Sequence, residues 1–212
     1  MANTSEPILH PIPILSLRPT QMTVGMIEVK EKRKRLREYW QEHKSTKKQG
    51  EFLGKHTIQV VLGPEKRHYV IDHHHLALAL HEEGVKEILV TIISDLTMVD
   101  RDAFWGVLDN HRWVYPYDAK GERRQFRDIP KTVADLKDDP FRSLAGELRR
   151  MGGFAKDTTP FSEFLWADFL RRRLTRKSVD ANFGKSVEKA LALAKGKDAV
   201  YLPGWCGAAS DD

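Results

Sequence analysis

The sequence predicts an α+β chain: a compact α/β unit comes first, and a mostly helical subdomain follows. Three observations predict it. Apolar, β-branched runs of strand length (Thr57–Leu62, His68–Ile71, Glu87–Ile93) crowd into the first half. Apolar positions at helical spacing lie before and between them. After Asp95 the strand texture stops, and helical segments punctuated by Pro and Gly take over. With 212 residues, 41% hydrophobic and five Trp, the chain has ample material for a core. The expected division is a flexible tail over 1–12, an α/β domain over 13–97 and a helical subdomain over 98–212.

In chain order, residues 1–12 read as a polar, Pro-rich tail. Ile12 to Leu17 alternates as a short strand, ended by Arg18 and Pro19. Thr23 is a fitting N-cap for a helix over about 24–44, with Val24, Ile27, Leu36 and Tyr39/Trp40 on its apolar side. The other face carries Lys30, Lys32, Arg33, Lys34, Arg35 and Arg37, as a solvated helix face does. Polar Ser45–Gly50 is expected to end that helix. Thr57–Leu62 and His68–Ile71 flank Gly63-Pro64-Glu65-Lys66, a turn signature, so they predict a hairpin. His75–Glu83 is a short helix with Gly84 as its stop, and Glu87–Ile93 is the third strand of this block. Beyond it, Met98–His111 reads as a helix and Tyr115–Tyr117 opens a loop. Helices follow over about 141–151, 161–175 and 180–195; Asn182–Gly184 either precedes the last or lies inside it. Phe161, Phe164, Trp166 and Phe169 fall near helical spacing, as core residues do.

Several classes are excluded. No stretch of 18 apolar residues is present, so no membrane span is expected. Pro7, Pro11 and Pro13 interrupt the place where a secretory signal would sit. Cys206 is the single cysteine, so no internal disulfide can form. These features favour a cytoplasmic location. The net charge of +5 and pI near 9.2 permit an anionic partner without demanding one.

The chemistry concentrates at Val70-Ile71-Asp72-His73-His74-His75-Leu76-Ala77, where a strand ends and a helix begins. Such a turn gathers backbone N–H groups and the positive end of a helix dipole at one point. Three histidines add donors that can become cationic. Three readings stay open. As phosphate donors or a general acid–base pair the histidines suit the turn. As metal ligands they lack the i, i+4 spacing of helical zinc sites and would need Asp72, Glu28 or His56 brought in from elsewhere. As structural groups they would bond to the backbone, with Asp72 as N-cap.

Two segments resemble the ParB/sulfiredoxin superfamily, and most nearly its branch of ParB-like nucleases. One is Leu15 to Gly25, leading into the helix with Val29 and Lys32. The other is Tyr69 to Leu80, followed by Gly84 and a strand. Pro160 to Arg171 also looks like the nuclease branch. The resemblance covers about residues 10–97 and implies a ParB/sulfiredoxin-like α/β domain. In that superfamily the second segment holds a phosphate-facing box: Gly-Glu-Arg-Arg in partition proteins, Gly-Cys-His-Arg in sulfiredoxins, Asp-Gly-His-His-Arg in free-serine kinases. Members bind CTP, ATP or ADP with it. Here His73 stands at the box Gly, His74 at the sulfiredoxin Cys and Leu76 at the box Arg. His75 matches the superfamily His. With no thiol at the box, sulfiredoxin chemistry is excluded.

The resemblance implies Glu28, Asp72, His74 and His75 as catalytic candidates. Glu28 would be the base near an acceptor hydroxyl, and Asp72 would orient a His or a metal. The implied ligand-contacting set is Gln21, Lys32, His73, His74 and His75. The expected partner is a nucleotide or another phosphorylated small molecule, and a nucleotide or a divalent metal are the cofactor classes left open. The implied activity is a phosphate-ester hydrolase, nuclease-like, or a phosphotransferase. The alternative is a non-catalytic, partition-protein-like nucleic-acid-binding module. No D-x-E-type metal cluster that would cleave phosphodiesters is visible. Gly121-Glu122-Arg123-Arg124 spells the partition-protein box, but without a strand before it or an apolar helix after it, and it reads as a surface loop.

Overall fold

The computed structural model describes residues 9–207. Its elements in chain order are β1 (Leu9–Pro13), β2 (Arg18–Pro19), β3 (Thr23–Val24), α1 (Met26–Glu42), α2 (Thr46–Lys55), β4 (Ile58–Gly63), β5 (Arg67–Val70), α3 (His74–Glu82), β6 (Glu87–Asp95) and α4 (Arg101–Asn110), followed by β7 (Lys137–Asp138), α5 (Pro140–Arg150), α6 (Ser162–Arg171), α7 (Arg176–Ala181) and α8 (Phe183–Ala194). The fold is α+β, with a mixed five-stranded sheet in the N-terminal region and a mostly helical C-terminal region. Two compact units are present. The first comprises residues up to Thr23, Val29–Asp118 and Glu122–Lys137; the second comprises Val24–Glu28, Ala119–Gly121 and residues from Asp138 on.

In the first unit the strand order is β1-β6-β4-β5-β2. β4 and β5 form an antiparallel hairpin, while β4 runs parallel to β6, and β1 antiparallel to it. The parallel β4–β6 pair needs a crossover, which β5 and α3 supply. Val60, Val61 and Val70 are fully buried. Val61 and Tyr69 pack with Phe104 and Leu108 of α4 in one apolar cluster. Gly63 is required at the hairpin because a Cβ there would lie 2.6 Å from the Tyr69 ring and 2.7 Å from Phe104. On α3, Leu76 through Leu80 are all buried. The helix stops at Gly84, whose φ of 82° suits glycine.

Three elements depart from the sequence expectation. The first strand runs over Leu9–Pro13, earlier than Ile12–Leu17; its register on β6 supplies the pairing that sequence alternation alone does not specify. The expected tail therefore overlaps a strand, and its residues 1–8 lie outside the described residues. Helix α1 starts at Met26, after the extended Thr23–Val24 pair, so Thr23 is not its cap. Ser45–Gly50 does not end in a loop: Ser45 caps α2, its side chain accepting the Lys48 N–H at 3.2 Å. Tyr39, Phe52, His43 and His56 then form a run of ring contacts that fixes α2 against α1, with centroids 4.2 Å apart for Tyr39–His43, 4.8 Å for Tyr39–Phe52 and 4.1 Å for Phe52–His56.

The second unit packs its helices around Trp166, Phe169, Leu144 and Leu148. The Trp166 indole N–H, fully buried, donates to the Pro203 carbonyl at 2.8 Å. Asp139, with Pro140 at the first helical position, caps α5 by accepting the Phe141 N–H at 3.1 Å. Asn182 caps α8 after closing α7, which places Asn182–Gly184 at the start of the last helix. Phe164, Trp166 and Phe169 are core residues, as their spacing predicts.

Candidate functional site

The strand-to-helix turn lies where β5 ends and α3 begins. Its N-cap is His73, in the left-handed conformation at φ 66° and ψ 27°, and the His73 side chain makes no capping hydrogen bond. That corrects the reading of Asp72 as N-cap. Asp72 instead accepts the His73 N–H at 2.6 Å, and its other carboxylate oxygen lies 3.7 Å from His73 Nε2. Both side chains are exposed. The left-handed conformation is the one glycine adopts without strain. His73 stands where most members of the superfamily that the sequence resembles carry Gly, and the turn keeps a glycine-type backbone there at the cost of some strain.

His74 points the other way. It is 4% exposed, and its Nε2 accepts the Thr20 N–H at 3.1 Å. An accepting Nε2 requires a neutral ring with its proton on Nδ1. The Thr20 hydroxyl donates to the Val70 carbonyl at 2.6 Å. Thr20 is thereby tied both to the last strand residue and to the first helical residue, and Gln21 beside it is buried and bridges to Tyr115. His75 is half-buried.

A cavity of about 620 Å³ opens beside the turn, lined by Lys32, Arg35 and Leu36 of α1, Phe52 and Lys55 of α2, and His56, Gln59, His73 and Leu76 among others. Three permanent cations and two imidazoles line it, and among the described residues no carboxylate does. The His56 Nδ1–H donates to the Phe52 carbonyl at 2.8 Å, which leaves Nε2 as that ring's remaining polar atom. Of the residues singled out in the sequence, the cavity brings together Lys32 and His73. It does not include His74, His75 or Gln21. Glu28 belongs to the second unit, at the first turn of α1. Among the described residues no three His, Cys, Asp or Glu side chains converge as a metal site.

Lys55 carries no signal in the sequence because α2 has almost no apolar periodicity: Thr46-Lys-Lys-Gln-Gly reads as loop, and His56 stands out only as a conceivable metal ligand. The readable signal was Ser45 as a cap. Arg35 read as one more solvated charge on α1. The box look-alike Gly121–Arg124 holds no strand or α-helix; Arg124 pairs there with Asp118 and Glu122.

The family model described as "Putative ParB-like nuclease" matches residues 10–172. Among solved structures, the crystal structure of protein Atu1540 from Agrobacterium tumefaciens is similar at a TM-score of 0.87 and 50% identity, over 95% of this chain and 98% of that one. No curated protein matches the chain. No helix among the described residues is long and apolar enough to cross a membrane. With a family model matched over most of its length and a half-identical structure covering nearly all of it, the chain belongs to the ParB-like nuclease family of the ParB/sulfiredoxin superfamily.

Proposed function

We propose that this chain binds the phosphate of a nucleotide or of another phosphorylated small molecule in the cavity beside the α3 N-terminus. The observation that carries the reading is the lining itself: Lys32, Arg35, Lys55, His56 and His73, with no carboxylate among the described lining residues, beside the N-terminus of α3. A helix start supplies aligned N–H donors and a favourable dipole, and the cations replace the clamp that the box Arg gives relatives. Leu76 occupies that Arg position and lines the same cavity. Tyr39 and Phe52 give the cavity an aromatic side suited to a nucleotide base.

If the chain turns its ligand over, as a phosphate-ester hydrolase or phosphotransferase, His73 is the best placed acid–base group. Asp72 orients it, and it lines the cavity. His74 then serves the backbone and not the ligand. His75, on the first turn of α3, keeps the role of phosphate donor that the resemblance implies.

Thermal-shift titration with inorganic phosphate, nucleotides and sugar phosphates tests this. A ligand at 100 times its Kd adds about 2.7 kcal/mol of stability. Lys32→Glu with Lys55→Glu should abolish the shift while leaving the unliganded melting temperature within a few degrees. No shift with any phosphate compound, or a shift that survives the double reversal, would sink the assignment.

A further inference from the structure

The first unit carries a second basic pocket, of about 690 Å³, that the phosphate reading does not use. Five cations line it: Arg18, Arg67, Arg101, Arg127 and Lys131; Asp102 is the one carboxylate among the lining residues. They come from four separate stretches of chain: β2, β5, the start of α4 and the loop 125–131. The rear is aromatic. Trp105 and Phe126 stack with centroids 5.3 Å apart at 7°, and Tyr69 meets Trp105 edge-on at 5.6 Å. Trp105 and Phe126 are only half-buried, and Arg127 and Lys131 are exposed. Arg18 is held in place, its guanidinium donating to the Lys131 carbonyl at 2.8 Å. Arg67 and Arg101 share one partner, Glu65, which sits on the hairpin turn at φ 60°. One carboxylate cannot neutralise both, so the pocket keeps an excess of positive charge.

We infer that this pocket is a contact site for single-stranded nucleic acid. Cations spread around a rim exceed what one phosphate can use, and they match a run of successive phosphates. A half-exposed aromatic pair among them matches the base stacking that single-strand binders combine with charge. The look-alike box at Gly121–Arg124 takes part indirectly: the chain just beyond it, Gln125 to Arg127, forms one wall.

The test is fluorescence titration of the whole chain with a 12-nucleotide oligothymidylate over a range of salt. Binding should weaken as salt rises, with a log–log slope of about −0.7 per phosphate contact. Arg127→Glu with Lys131→Glu should weaken it at least tenfold and flatten the slope; circular dichroism melting checks that this variant folds. Trp105→Phe should remove most of the quenching on binding. Lys32→Glu with Lys55→Glu, which disables the cavity at α3, should leave oligonucleotide binding intact, so the two sites fail or stand separately. No binding at low salt, unchanged binding by Arg127→Glu/Lys131→Glu, displacement by polyglutamate as effective as by oligonucleotide, or a mononucleotide binding as tightly as the strand would each overturn the inference.

Discussion

The backbone N–H of Thr20 donates to Nε2 of His74 across 54 residues of sequence, at 3.1 Å and out of solvent. This bond ties the loop after β2 to the first residue of α3, and it holds the middle histidine of the triplet in the interior. The expected consequence is structural. His74→Ala leaves the Thr20 N–H without its acceptor and should cost about 1–3 kcal/mol of stability. Urea unfolding measures the loss. A stability unchanged by the substitution would contradict the interior role.

His73 should give effects of opposite sign on stability and binding. His73→Gly keeps the left-handed backbone, removes the side-chain strain and stabilises by up to about 1 kcal/mol. It also removes an imidazole from the cavity wall, so phosphate binding weakens. A melting curve and a phosphate titration of the one variant check both halves.

Gly63 and Gly84 should differ in the cause of their intolerance. At Gly63 an added methyl meets the rings of Tyr69 and Phe104, both inside the core cluster, and Gly63→Ala should cost about 1–3 kcal/mol by overpacking. At Gly84 space is open and only the φ of 82° opposes a side chain, so Gly84→Ala should cost about 1 kcal/mol. Phe104→Leu, which removes one of the two ring clashes, should lower the cost of the first substitution and leave that of the second unchanged.

Asp139 predicts a pH dependence in the second unit. Burial pushes its carboxyl above the usual range, and the guanidinium groups of Arg171 and Arg142 only partly oppose this. The folded state therefore holds the proton at pH values where the unfolded chain, with a pKa near 3.8, has lost it. Stability falls as pH rises from about 4 through the raised folded-state value, then levels off. Asp139→Asn should remove that slope. Melting temperature against pH for the two proteins, compared between pH 4 and 7, shows whether it does.

Much of the architecture was readable because its signals are local. The Pro64 turn, the Gly84 stop and the β-branched runs of β4 and β6 report their own conformations through sterics and periodicity. The strand-to-helix turn was readable too, since Val70–Ile71 and Leu76–Leu80 bracket it. The helix α2 was not, because the ring contact of Phe52 with Tyr39 forms only when α2 folds back on α1, which the periodicity of neither helix records.

The sequence by itself determined that an α/β unit precedes helices, that a histidine-rich turn opens α3, and that the chain resembles the ParB/sulfiredoxin superfamily. Only the tertiary structure decided which histidine faces what. Adjacent residues at a helix start diverge by about 100°, so three identical side chains acquire three environments. His74 goes to Thr20, His73 to the cavity, and His75 stays half-buried. The tertiary structure also gathered Lys32, Lys55 and His56 around one cavity, and Arg18, Arg67, Arg101 and Arg127 around another. Charge is countable in a sequence, but which charges share a pocket depends on strand order and helix packing, and those are properties of the whole fold.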